Sequence, residues 1–336
     1  MNHSHSAFGL QISANLAIPT LPIVAPARAT DVVVYLGDLP SWLQDAMPTA
    51  KIRIVGPSFD SSGTPTRILW ELKDGSHFYY RYQDGTEFVL DNAGTKVWAR
   101  WPNTLSLEDT ATYLLGPIFG FLLRLRGYVC LHASAVSFRG RVAAFLGPAG
   151  EGKSTLAAAF AELGFAIVSD DVTVLVDRFD EFLVTPAYPC VRLWSDSVSG
   201  LYGKDAKLPL LTPNWDKLYL DLSKNGYRFQ GQTLPLAAIY LLERRTGGPC
   251  VQQLSANEKI IALVGNSYGN FLLDREMRKS EFDVVTRLTT RVPVRRLSYP
   301  SNINSLTQTC DLVIRDLQSV VTELDAATRQ VAAHAQ

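Results

Sequence analysis

One octapeptide, Gly147-Pro148-Ala149-Gly150-Glu151-Gly152-Lys153-Ser154, followed by Thr155, limits what this chain can fold into more than any other segment. It fits the pattern G-x-x-x-x-G-K-[ST], a P-loop, whose glycines let successive backbone N–H groups converge on phosphate oxygens. The pattern has meaning only between a strand and a helix. The apolar run Arg141-Val-Ala-Ala-Phe-Leu ahead of it reads as a strand, and the alanine-rich Ser154 to Leu163 behind it reads as a helix whose positive end adds to the field. At average composition the pattern arises by accident in about one chain of this length in a hundred, and the strand–loop–helix setting lowers those odds further. The loop from Gly147 through Thr155 is therefore expected to hold ATP, with Lys153 on the β and γ phosphates and the Ser154 hydroxyl on Mg²⁺.

The flanking sequence extends the same reading. Ala133 to Phe138 is expected to pair with the strand before the loop through a turn at Arg139-Gly140. Gly164 is a natural stop for the helix, and Phe165-Ala-Ile-Val-Ser is a short buried strand that delivers Asp170 and Asp171 at its end, where ligands of open α/β sheets collect. An isolated Asp-Asp pair reads more readily as a turn or helix cap. Behind this loop, one carboxylate is expected to hold the metal, with Ser154 and Asp171 as ligand candidates, and the other to orient or deprotonate an attacking hydroxyl. Which acid is the base stays open. His132 lies at the start of a predicted strand, in reach of a carboxylate or phosphate, although a lone histidine in an apolar run is more often a satisfied core residue. Arg192, Lys217 and Arg228 fall in loop-rich territory after the acids and are candidates to contact phosphate or acceptor, and Arg291, Arg295 and Arg296 are candidates to neutralise transition-state charge in cis or across a homo-oligomer interface.

Organisation follows from period and punctuation. Phe8 to Trp101 reads as mostly antiparallel sheet, with a tight turn at Asp84-Gly85 and another turn at Asp91-Asn-Ala-Gly. Ser106-Leu-Glu-Asp opens a capped helix that runs to about Gly127. Leu236-Ala-Ala-Ile-Tyr-Leu-Leu-Glu is a second central strand, Pro186-Ala-Tyr-Pro and the glycines at 200 and 203 mark loops, and Ser305 to Ala332 is a terminal helix. The expected division is a β-rich N-terminal subdomain at 1–105, a linking apolar helix at 106–130, and a P-loop kinase-like α/β domain at 131–336.

Composition narrows the function classes. Thirty-two basic residues balance 32 acidic ones, so no global field draws the chain to nucleic acid or an anionic membrane, and a polyanion site has to be local. The apolar stretch Tyr113 to Leu123 is shorter than the roughly 20 residues a membrane span needs. Cys130, Cys190, Cys250 and Cys310 lie far apart without zinc spacing, which favours buried thiols in a reduced, cytoplasmic protein. The opening Met1-Asn-His-Ser-His-Ser carries no secretory signal pattern, and His3 and His5 are expected to lack fixed structure.

Three segments taken together, His132-Ala-Ser-Ala-Val, Phe145-Leu-Gly-Pro-Ala-Gly-Glu-Gly-Lys-Ser-Thr and Gly164-Phe-Ala-Ile-Val-Ser-Asp-Asp, resemble the catalytic core of the HPr kinase/phosphorylase family. The resemblance spans about Leu131 to Val174 and is that of a divergent member. It implies a P-loop fold related to phosphoenolpyruvate carboxykinase and transfer of phosphate from ATP, with Mg²⁺, to a serine of a small protein. On that reading Lys153 and Ser154 handle nucleotide and metal, Asp170 or Asp171 is the base, and His132 supports the acid. The opening Phe8-Gly-Leu-Gln-Ile-Ser-Ala-Asn and the Arg192-Leu-Trp segment are similar to relatives that modify peptides, including lasso-peptide precursor kinases, for which the acceptor is a peptide serine. The family's basic, proline-containing signature loop is absent in good form, Arg291-Val-Pro-Val-Arg-Arg being the nearest segment. The alternative class is a nucleotide-binding sensor or assembly protein that transfers phosphate to no partner.

Overall fold

Alternation of apolar and polar residues builds the N-terminal region. Along the strand Val32–Leu36, Val32, Val34 and Leu36 are buried while Tyr35 between them is exposed, the period of two that a half-covered sheet requires. Eight such strands form one sheet in the spatial order His3–Ala7, Leu10–Ala14, Val32–Leu36, Lys96–Arg100, Glu87–Asp91, His77–Tyr82, Arg67–Leu72, Lys51–Val55. The sheet is antiparallel except on either side of Val32–Leu36, where both pairings are parallel. The turn at Asp84-Gly85 forms as expected, with Gly85 at φ +91° and the Asp84 carboxylate accepting from the Thr86 amide at 2.9 Å.

The computed structural model describes residues 2–56, 59, 63, 65–178 and 180–334. They divide into two compact units, Met1–Tyr128 with Leu211–Trp215, and Val129–Leu210 with Asp216–Gln336. Ser106 caps the helix Leu107–Tyr113 through a reciprocal capping box with Asp109. The expected single helix is in three pieces. A wide turn at Leu114–Ile118 separates Leu107–Tyr113 from Phe119–Leu125, and Pro117, which has no N–H to give the ladder, sits inside it. These pieces belong with the first unit.

The second unit is α/β, with helices on both faces of a mixed sheet. Arg141–Leu146 lies between Val129–Phe138, antiparallel, and Leu234–Arg244, parallel. Val294–Tyr299 continues the parallel set and Cys250–Gln253 closes that edge. Beyond Val129–Phe138 come Ile167–Ser169 and Val172–Arg178, then Glu181–Thr185. One face packs on the helix Lys153–Glu162 and the terminal helix Leu306–His334, which supplies Cys310, Val313, Leu317, Val320 and Val321 at helical spacing. The other face packs on Val285 and Leu288 of the helix Arg275–Arg291 and on Leu263 of the helix Ala256–Gly265. A separate two-stranded ribbon pairs Cys190–Trp194 with Lys217–Asp221.

Three expectations need correcting. His3 and His5 are in a strand, and His5 is fully buried, its ring bonded to the Pro22 carbonyl and the Ile18 amide. Gly200 lies inside the helix Ser195–Tyr202, and Gly203, at φ +88°, ends it. Cys130, Cys190 and Cys310 are buried thiols, but Cys250 is exposed. Among the described residues no helix is long and apolar enough to cross a membrane.

Candidate functional site

Arg139 and Gly140 both take positive φ, 49° and 76°, and this turn sets the register in which Ala133 faces Leu146. His132 and Ser134 are thereby carried to the end of the strand where the glycine-rich loop begins. The loop then wraps through Gly150 and Gly152, both left-handed at φ +88° and +91°. Gly152 is restricted twice over, since a Cβ there would meet the Tyr299 hydroxyl at 2.6 Å and an Arg244 guanidinium nitrogen at 3.2 Å. Gly152 is also the N-cap of Lys153–Glu162 and provides no side-chain cap. The first N–H groups of that helix are left for a ligand, at the positive end of its dipole.

Lys153 is 7% exposed, and its Nζ donates to the carbonyls of Gly147 at 2.7 Å and Pro148 at 2.9 Å. Burial draws its pKa down, and the carboxylates of Asp171 and Asp170 pull it back up. Glu151 is held by neighbouring strands. Its carboxylate accepts from the Arg244 amide at 3.1 Å and its carbonyl accepts from the Tyr299 hydroxyl, which tacks the loop to the ends of two parallel strands. Thr155 shares a hydrogen bond with Ser197 at 2.9 Å.

The two acids differ in every contact. Asp170 is 4% exposed and takes three hydrogen bonds: Oδ1 accepts from Ser134 at 2.5 Å and Ser154 at 2.8 Å, and Oδ2 accepts from the Arg192 amide at 2.9 Å. Asp171 takes the left-handed conformation at φ +68°, rare for a residue with a side chain and of the kind that collects at functional sites. Its Oδ1 lies 3.4 Å from His132 Nε2, its Oδ2 lies 3.6 Å from Arg192 Nη1, and Tyr268 donates to Oδ2 at 3.5 Å. Burial opposes ionisation of Asp171, but the hydrogen bond from His132 and the charge of Arg192 outweigh it and hold the carboxyl well below the ordinary range. Arg192 is buried, gives Nη2 to the Tyr188 hydroxyl at 2.6 Å, and has a buried Nε with no acceptor among the described residues.

These groups line one cavity of about 210 Å³. Of the residues singled out from sequence, His132, Ala149, Gly150, Gly152, Lys153, Ser154, Thr155, Asp170 and Asp171 all border it. Gly147, Pro148 and Glu151 do not, and they act on the loop through the contacts just given. Arg192 and Lys217 border the cavity from the two-stranded ribbon, not from loops. Arg228 is exposed and does not border the cavity, while Arg295, paired with Asp316, and Arg296, paired with Glu243 and Glu258, are committed elsewhere. Arg291 ends the helix Arg275–Arg291 outside the cavity.

Sequence reading missed Arg244, Trp194 and Ser197, all of which border the cavity. Arg244 had a usable signal. It closes a strand parallel and adjacent to the one feeding the loop, and carboxyl ends of such strands are where ligands bind. Trp194 had only the resemblance of the Arg192-Leu-Trp segment and Ser197 had no signal, because the ribbon that places Trp194 and leads into the helix of Ser197 is a long-range pairing.

Four cations, Lys153, Arg192, Lys217 and Arg244, stand against Asp170 and Asp171 here, a surplus of two positive charges that suits a polyanion. Ser154 and the two carboxylates are hard oxygen donors of the kind Mg²⁺ prefers. Among the described residues no group of three or more His, Cys, Asp or Glu is placed to hold a metal by itself.

No family model matches the chain, and no curated protein matches it. A solved structure, the Hpr(Ser) kinase/phosphatase from Coxiella burnetii, matches over 56% of this chain and 97% of its own at 14% identity and a TM-score of 0.30. A likeness that loose carries no argument about the site.

Proposed function

We propose that this chain is a phosphotransferase that moves the γ-phosphoryl group of ATP, with Mg²⁺, to a serine hydroxyl of a protein or peptide. The observation that carries the reading is the shared cavity, in which an uncapped helix N-terminus and Lys153 meet two acids of contrasting environment. The backbone N–H groups of the loop and Lys153 hold the phosphates in line. Ser154 and Asp170, already bonded to each other, would hold Mg²⁺, which neutralises charge on the phosphate oxygens when bound. This moves the metal role expected of Asp171 to its neighbour.

Asp171 is then left to receive the acceptor hydroxyl. Its low proton affinity makes it an orienting acceptor more than a strong base, which is adequate for a loose, metaphosphate-like transition state that demands little proton removal beforehand. As the serine oxygen bonds to the γ-phosphorus and the bond to the ADP bridging oxygen breaks, the serine proton passes to the carboxylate. His132 and Arg192 fix that carboxylate in place. Transfer belongs to residues 131–336, and serine as the acceptor follows from the family resemblance of the His132, Phe145 and Gly164 segments.

Intact-mass measurement after incubation with MgATP tests this, using a serine-bearing precursor peptide and an HPr-type carrier protein as acceptors. One acceptor should gain a single phosphate with the unmodified chain and none with Lys153→Ala or Asp171→Asn. Tight MgATP binding with no transfer to any acceptor would move the reading to a nucleotide-responsive sensor.

A further inference from the structure

Each cation around the cavity except one already has a partner. Lys153 is held by two carbonyls, Arg192 by Tyr188 and Asp171, and Arg244 by the Tyr299 hydroxyl. The Lys217 ammonium makes no hydrogen bond or ion pair among the described residues. The ribbon register sets it directly across from Trp194, and its Nζ stands 5.1 Å from the centre of that indole ring. A cation–π contact holds an ammonium group through the ring's quadrupole and spends none of its three N–H donors. Trp194 is 56% exposed and borders the same cavity, so the indole stands at its rim.

The surrounding charges define what Lys217 can receive. It borders the same cavity as Asp170 and Asp171 and feels the charges of both acids as well as that of Arg192. A partly buried ammonium with idle donors in the same cavity as the acceptor carboxylate is suited to the oxygens of a phosphoryl group at the point of transfer.

Building on the phosphotransferase reading, we infer that Lys217 is a catalytic residue that grips the γ-phosphoryl oxygens, and that Trp194 is a positioning residue that holds its ammonium ready. The contact is to the third phosphate, so it distinguishes ATP from ADP. The loop N–H groups, and Lys153 through its contact with the β phosphate, serve both nucleotides.

Calorimetric titration of the full chain with MgATP and with MgADP decides the matter without requiring an acceptor. Lys217→Met should weaken MgATP about tenfold, the scale of a charge-assisted contact, and leave MgADP within about twofold, which also shows that the variant is folded. Lys217→Arg should keep most of the preference for MgATP. Trp194→Leu should weaken MgATP by about threefold in the unmodified background and hardly at all beside Lys217→Met, because the two act through one contact. Equal weakening of both nucleotides by Lys217→Met, or none, overturns the assignment while nucleotide binding stands. Loss of MgADP affinity in Trp194→Leu would instead make the indole a stacking surface for the base and overturns its role as a positioning residue. If the unmodified chain binds neither nucleotide, both this inference and the phosphotransferase reading fall.

Discussion

Asp170 receives three hydrogen bonds in a closed environment, whereas Asp171, next in the chain, keeps 27% of its side chain accessible and faces a histidine and an arginine. Folding lowers the pKa of Asp171, so its ionised form stabilises the native state. That contribution is complete above about pH 4, the ordinary carboxylate value, and fades as pH falls through the depressed native value. Asp171→Asn should therefore be less stable than the unmodified chain at about pH 7, and the gap should narrow at about pH 3, as read from urea unfolding midpoints. Gly152 offers a sharper test, because its left-handed φ and the nearness of Tyr299 penalise a methyl group independently. Gly152→Ala should cost at least about 1 kcal/mol in stability and abolish measurable MgATP binding. Adding Tyr299→Phe, which removes the obstructing oxygen, should restore part of the stability and leave the backbone strain.

At the scale of elements, the capped helix Leu107–Tyr113 tests how far local chemistry governs this fold. Ser106 accepts from the Asp109 amide and Asp109 closes the box, so Ser106→Ala should lower stability by about 1 kcal/mol in denaturant titration. The sequence showed that cap, the Asp84-Gly85 and Arg139-Gly140 turns, and the strand, loop and helix around Gly147 to Thr155, because each is fixed by residues a few positions apart. What it concealed depends on distant partners. The polar string at His3 to Ser6 becomes a strand only by pairing with Leu10–Ala14 and burying His5 beneath Pro22. The wide turn at Leu114–Ile118 was hidden because a uniformly apolar run carries no period that marks a change of helix type. Arg192 and Lys217 looked like loop residues because prolines and glycines crowd the sequence around their strands, although Leu218, Leu220 and Leu222 alternate, and only the pairing of Trp194 with Lys217 turns them into one wall of a cavity.

Over the whole molecule, the candidate site lies wholly within the unit 129–210 and 216–336, while five of the six tryptophans, all but Trp194, belong to the unit 1–128 and 211–215. Each unit has hydrophobic clusters of its own. A ligand that binds only the native state stabilises what it binds, by about 2.7 kcal/mol at a hundred times its Kd. MgATP should therefore raise the calorimetric transition of the unit holding the cavity. Thermal melting followed by tryptophan fluorescence, which is dominated by the other unit, should hardly move. The separation of the two signals depends on the loop, so Lys153→Ala should remove the calorimetric shift without altering the fluorescence melt. A fluorescence melt that rises in step with the calorimetric one would mean that the two units unfold together, since linkage then spreads the binding energy over one cooperative transition.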